Sequence, residues 1–351
     1  MENKNPETVK RLRQEGLTFD VIAQMLKIGK TTARDWFYDR SKPTQPKQND
    51  VTGYTNQNLS RQSNVDKEEL LEFIENLSPI KFNIPKKSNI NRTNSDYCLI
   101  IGDTHFPVQH KPTIDIFLET VRTLSPKTII LNGDTVDMFA ISRYPKDIRH
   151  NYSLAEERIE YHKFLAELVN VSNGAKIFET NANHSGNDIT GRWFRYLSDR
   201  IGELSSLPDI QEKLSYGNVF LGDYQEFVEL VDYVEVTPEL IVLHGDIVRK
   251  NGGYSARAHM DKWMVSLLHN HTHRFGSTAQ RIPAIGNRKD KQLYAWENGC
   301  ACDLSPLYGS APNWQNGFSI VSLGSEQYGI EQVMVNGNAA NISTLGKTIK
   351  A

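Results

Sequence analysis

Five short clusters carry the residues that could do chemistry: Asp103-Thr104-His105, Gly133-Asp134-Thr135-Val136-Asp137, Asn183-His184, His244 and His271-Thr272-His273. A single histidine among them would be read as a hydrogen-bonded structural residue. Together they supply four histidines and two carboxylates of ligand type with one amide, and they leave Asp137 and His184 for proton chemistry. Hard oxygen and borderline imidazole donors in one site suit divalent Mn, Fe or Zn better than Ca or Mg.

The clusters must be brought together by the elements that precede them. Short β-rich runs, Tyr97–Ile101, Thr128–Leu131, Ala175–Thr180, Leu240–Leu243 and Trp263–Leu268, alternate with longer helical patterns. That alternation predicts an α/β fold of mainly parallel or mixed sheets covered by helices. Each run ends in a polar cluster, and sites in α/β sheets form where strand ends open into loops.

In this order the clusters resemble the calcineurin-like metallophosphoesterase superfamily, whose pattern is D-x-H, G-D-x-x-D, G-N-H, H, G-H-x-H; the match spans about residues 97 to 275. The resemblance implies a two-layered β-sheet sandwich flanked by helices. It also implies two divalent ions, Mn first with Fe or Zn as alternatives. Asp103, His105, Asp134 and His273 would hold one, and Asp134, Asn183, His244 and His271 the other, with Asp134 bridging. A metal-bridging hydroxide between ions roughly 3.5 to 4 Å apart would attack phosphorus. His184 would protonate the leaving oxygen, with Asp137 fixing its tautomer.

Departures from the pattern bear on substrate. Ala182 and Asn270 stand where the family has glycine, Ser185 replaces an acid after the histidine, and Met138 stands where the superfamily's protein phosphatases carry a phosphate-gripping arginine. Met138 therefore speaks against a phosphoprotein phosphatase and agrees with the nucleases related to double-strand-break repair enzymes. Arg143, Arg192 and Arg195 are candidate substitute cations. Trp296 to Cys300 and Asn313 to Phe318 look like the tail of phage and prophage metallophosphoesterases. Cys300-x-Cys302 is a candidate metal-binding pair, but two thiols without evident partners are read as small buried hydrophobes. Tyr294, Trp296, Tyr308 and Trp314 are read as core aromatics, with base stacking as the other use.

At the front, Asn5-Pro6-Glu7 and Gly16 delimit a first helix, Phe19–Leu26 forms a second, and a third starts at Lys30 or Thr31. The spacing of Leu17, Ile22, Ala23, Leu26, Ile28, Ala33 and Trp36 resembles the helix-turn-helix of resolvases and other small bacterial DNA-binding modules. This all-α unit would offer Lys30, Thr31, Thr32 and Arg34 to DNA. Lys27 stands where such turns take glycine. A helical bundle used for docking is the alternative.

The 351 residues therefore divide into a helix-turn-helix unit (1–40), a polar connector with an amphipathic helix at Val65 to Leu77 (41–95), a metallophosphoesterase domain (96–335) and a tail (336–351). Apolar residues make up 38% of the chain and charged residues 23%, which excludes wholesale disorder. No apolar stretch has the length of a membrane span, and Met1 to Arg13 lacks the apolar core of a secretory signal. Three cysteines point to a reducing cytoplasm, of a bacterium or a phage-infected host. Residues 1–95 carry 16 Lys+Arg against 12 Asp+Glu, and the remainder 24 against 30. Bound metal reverses the local field of an acidic domain, so a polyanionic substrate stays compatible. The expected function is a two-metal phosphoesterase, a DNA nuclease with DNA as its partner. The competing readings are a phosphomonoesterase or cyclic-nucleotide phosphodiesterase with a docking module, and a DNA-binding regulator on a non-catalytic scaffold.

Overall fold

The computed structural model describes residues 6–14, 19–28, 32, 96–142, 152–187, 191–202, 207–286, 289–305, 312–325 and 327–351. The chain divides into two compact units, Met1–Ser60 and Arg61–Ala351.

In the first unit, α1 (Pro6–Gln14) and α2 (Phe19–Leu26) bury Val9, Leu12, Ile22 and Leu26 against one another, with Ile28 packed on the cluster. Lys27 takes the left-handed conformation (φ 50°) expected of a glycine, and the Ile28 amide donates to the Ala23 carbonyl at 3.0 Å. A non-glycine residue there costs roughly 1 to 2 kcal/mol. Lys30, Thr31, Arg34 and the connector with Val65 to Leu77 lie outside the described residues, and Thr32 is helical and half-buried.

The second unit is mixed α/β. Its elements in chain order are β1 (Tyr97–Ile101), α3 (Lys111–Leu124), β2 (Thr128–Leu131), α4 (Leu154–Val171), β3 (Lys176–Thr180), α5 (Arg192–Ile201), α6 (Pro208–Lys213), β4 (Val228–Val231), β5 (Tyr233–Thr237), β6 (Leu240–Leu243), α7 (Tyr254–Trp263), β7 (Ser266–His269), β8 (Gly276–Ile282), β9 (Lys291–Glu297), β10 (Gly317–Leu323), β11 (Tyr328–Met334), β12 (Ala339–Ile342) and β13 (Lys347–Lys350). One sheet runs β11-β10-β1-β2-β3-β4, with β1 to β4 parallel; a second runs β5-β6-β7-β9-β8, with β6, β7 and β9 parallel.

Period-two alternation decides what each strand buries. Cys98, Ile100 and Ile130 face Val234, Leu240, Val242 and Leu268 of the second sheet, forming the seam of a sandwich. Their neighbours Leu99, Ile101, Ile129 and Leu131 join the helix-covered core with Ile116, Phe117 and Leu165, while Ile241, Leu243 and Leu267 pack on Ala256 and Met260 of α7.

Two sequence boundaries move. Trp263 closes α7 rather than opening a strand, because Met264 turns left-handed (φ 55°) as its C-cap and β7 begins at Ser266. Residues 336–351, set apart above as a tail, form the β12-β13 hairpin, and its Ala340, Ile342 and Ile349 enter the main core.

Candidate metal centre

Strands β1, β2 and β3 are parallel neighbours, so their C-terminal loops open on one edge, and β6 and β7 do the same in the facing sheet. The loops are tied to each other by main-chain bonds. Asp103 N–H donates to Gly133 O (3.0 Å), His105 N–H to Asp134 O (3.0 Å), and Asn270 N–H to His244 O (3.0 Å). Asn132 joins the two sheets: its amide donates to Leu243 O (2.9 Å) and Asn270 Oδ1 (2.8 Å), and its carbonyl accepts from His244 Nδ1 (2.9 Å). Gly133 sits at φ +74°, and a Cβ there would fall 2.6 Å from His244 Nδ1. This close approach requires glycine.

All seven ligand candidates named from sequence converge at this edge. Asp134 Oδ1 accepts the His184 amide (2.9 Å), which leaves Oδ2 among His244 Nε2 (3.3 Å), His105 Nε2 (3.9 Å) and His184 Nε2 (3.9 Å). Asp103 is divided likewise. Its Oδ2 accepts from the His271 amide (2.9 Å) and Asn270 Nδ2 (3.1 Å), and its buried Oδ1, 3.4 Å from His273 Nε2, has no hydrogen-bond partner among the described residues. Asn183 Oδ1 lies 3.2 Å from His244 Nε2. Asp134, His244 and His271 form one ligand-type group; Asp103, His105 and His273 form another.

Asp137 serves a histidine other than the one expected. His105 Nδ1 donates to its Oδ1 at 2.8 Å, whereas His184 Nδ1 stands 3.4 Å from the same oxygen. The carboxylate therefore fixes the His105 tautomer first and turns Nε2 inward.

Two physical signs show that the donors fit divalent cations. His105 Nε2 and His273 Nε2 stand 3.2 Å apart, close enough for one proton to bridge them in metal-free protein, and His273 Nε2 lies 3.4 Å from Asp103 Oδ1. Ligand-type atoms of Asp103, His105 and His273 lie within 4.8 Å of one another, close enough to share one cation. The protonation pattern agrees. Burial would lower His244 and His273, but Asp134 and Asp103 outweigh it and push both up to about 9. Burial likewise opposes ionisation of the aspartates, yet the surrounding histidines hold Asp103 at about 2 and Asp134 well below the carboxylate range. His271, lowered to about 4 by burial and by His244, stays neutral, and burial also keeps His184 below the usual histidine range against the pull of Asp134 and Asp137.

The backbone is strained at the same place. Asp103, His105, Asp134, His271 and His273 have φ between 47° and 74°, as does Met138 at 54°. Left-handed non-glycine residues cost of order 1 to 3 kcal/mol each, and the burden falls on the ligands. Met138 is fully buried, a core residue at the N-cap of a short 3-10 turn.

The supporting shell is mostly beyond sequence reading. Ser185, seen as the loss of an acid, accepts from the Thr135 amide (3.3 Å) and bonds to Glu179 of β3. Glu179 also accepts from the hydroxyls of Thr135 (2.5 Å), Tyr161 (2.7 Å) and Tyr216 (2.9 Å). Glu179, on the strand that leads into the His184 loop, thus ties that loop to the one carrying Asp134. Glu297 accepts from Thr272 (3.0 Å) and Arg274 (2.9 Å) and holds the His271-x-His273 loop. Cys302, read from sequence as lacking partners, has its Sγ 3.8 Å from His273 Nδ1, and Trp314 packs on the same ring at 4.2 Å between centroids. Tyr294 and Trp296 stack on each other along β9. Arg192 and Arg195 lie on α5 beside His184, while Arg143 and Tyr308 fall outside the described residues.

No family model matches the chain. The Gene 54 protein of Mycobacterium phage L5 is 21% identical over 258 residues, covering 70% of this chain and 95% of that protein. The Gene 54 protein of Mycobacterium phage D29 is 23% identical with the same coverage. Among solved structures, Vps29 from Entamoeba histolytica complexed with zinc aligns over 72% of this chain and 98% of its own, at 12% identity and a TM-score of 0.37. Nuclease MPE from Pseudomonas putida aligns over 67% and 87%, at 12% identity and a TM-score of 0.26.

Proposed function

We propose that the chain is a two-metal phosphoesterase that hydrolyses phosphodiester bonds, with DNA as its substrate. The observation that carries this reading is the pair of split carboxylates. Asp103 and Asp134 each bind a backbone amide through one oxygen and turn the other toward inward-facing imidazole nitrogens. Asp134 Oδ2 and His244, His271 and Asn183 would hold one cation, and Asp103, His105, His273 and Asp134 the other. When bound, such a pair supplies an acidified water and neutralises phosphate charge.

The chain's own residues orient and move the proton. Asp137 and Asn132 hold the Nδ1 protons of His105 and His244, which turns both Nε2 atoms toward the site; the His244 Nε2 would bind a cation after giving up its proton. His184, buried on the site's flank and neutral at pH 7, is placed to hold a proton for the leaving oxygen once a phosphate anion lies before it. The buried Met138 offers no grip for a phosphoprotein, and the basic surplus of residues 1–95 supports a nucleic-acid substrate.

The test is incubation of purified protein with Mn and a panel of linear, nicked and single-stranded DNA, RNA, cyclic nucleotides and a simple phosphodiester. Mn-dependent cleavage of DNA and of the simple diester is expected. Hydrolysis of small esters alone would replace DNA by a nucleotide substrate, and tight duplex binding without any hydrolysis would overturn the catalytic reading.

A further inference from the structure

A cavity of about 410 Å³ opens beside the metal centre, walled on one side by Asn183 and His184 and on the other by Arg192, Arg195, Tyr196 and Arg200 of α5. The helix makes this wall by its periodicity. Trp193, Leu197 and Ile201 are buried in the core, and the arc of positions 192, 195, 196, 199 and 200 left outside that stripe lines the cavity. Three guanidiniums stand there with one carboxylate, Asp199. Arg192 is anchored by donating to the Asp137 carbonyl at 2.8 Å, which ties the helix to the metal loop. Arg200 lies 5.6 Å from the centre of the Tyr196 ring, a spacing at which a cation and an aromatic face attract.

We infer that this cavity binds the phosphates of a nucleic-acid strand next to the one being cleaved, so the enzyme selects a chain of phosphodiesters over a lone phosphate ester. The inference rests on the two-metal reading for its chemistry but uses residues outside the ligand set. Arg192 and Arg200 are eight residues apart, about 12 Å along a helix axis. A DNA strand carries a phosphate about every 3.4 Å of duplex rise, so this row outspans one phosphate and matches a run of them. Guanidinium forks bind phosphate in two-point fashion, and Tyr196, stacked on Trp193 and under Arg200, helps fix the row in place. A single-phosphate substrate would reach the metal pair and leave Arg195 and Arg200 without a role.

The experiment compares full-length wild type with Arg195→Ala/Arg200→Ala and Arg195→Lys/Arg200→Lys. Their substrates are a single-stranded DNA oligonucleotide and bis(4-nitrophenyl) phosphate, which has one phosphate. For the alanine pair, kcat/KM on the oligonucleotide should fall at least about ten times further than on the small diester, and the dependence of log(kcat/KM) on log salt should flatten by about one to two units. The lysine pair should keep most of the salt slope, since the charge remains. Equal losses on both substrates, or an unchanged oligonucleotide rate and slope, would overturn the inference. Anisotropy of a labelled oligonucleotide without divalent metal separates the two readings. The same flattening is expected there if the arginines bind the strand, even should wild type hydrolyse neither substrate.

Discussion

In the proposed two-metal site, Asp134 is the residue that both halves would share. Among the described residues, it alone places one oxygen within 3.9 Å of His105, His184 and His244. Asp134→Asn should therefore remove both metals, read as metal content after gel filtration; two retained equivalents would disprove the bridge. His184→Asn should keep the metals while kcat falls by about 10² to 10⁴. Loss of metal in that variant would make His184 a ligand. The two high histidines set the pH behaviour. In metal-free protein, His244 and His273 titrate near 9 against an ordinary 6.5. Their contribution to apo stability is complete below pH 6.5 and is lost as pH rises through about 9, so the metal-free melting temperature should decline across that window. Metal must displace these protons. Binding at pH 7 should release about two of them, measurable by calorimetry in buffers of different ionisation enthalpy, and affinity should rise with pH.

The elements act by bringing loops to a common edge and then leaving no room for error. The β2 loop meets the β6 loop where Gly133 passes His244, and Gly133→Ala would place a methyl 2.6 Å from Nδ1 in a left-handed backbone. That substitution should cost roughly 1 to 3 kcal/mol and weaken metal binding together, seen as a lower melting temperature and a raised metal Kd. Strand β3 contributes from beneath. Glu179, bonded to Thr135, Tyr161, Tyr216 and Ser185, positions the loops carrying Asp134 and His184 without touching either side chain. Helix α5 does two things with one periodicity, packing Trp193 into the core and presenting its arginines beside His184.

At the scale of the molecule, the two compact units divide the sequence before any described ligand appears, since all of the site lies within Arg61–Ala351. Deleting residues 1–40 should leave hydrolysis of a small phosphodiester nearly unchanged and reduce activity on long DNA, most strongly at moderate salt. Collapse of both activities would make the N-terminal helices part of the catalytic fold. No helix among the described residues is long and apolar enough to cross a membrane.

The sequence by itself determined the clusters of ligand-type residues and the strands that precede them, because both are local patterns; their division between two metals came only from the family resemblance. Apolar runs of four or five residues announce β1, β2 and β6, and within three residues each is followed by Asp103, Asp134 or His244. Only the tertiary structure decided the rest. Glu179 and Glu297 lie in strands and resemble ordinary strand residues until pairing brings them under loops far away in the chain. Asp137 belongs first to His105 rather than His184 because a difference of 0.6 Å, from 2.8 to 3.4 Å, arises from how the β1 and β3 loops fold over β2. Cys302 gains His273 as a neighbour for the same reason. A hydrogen bond depends on a few tenths of an ångström and on direction, and neither is encoded in residue spacing when the partners meet across separate strands.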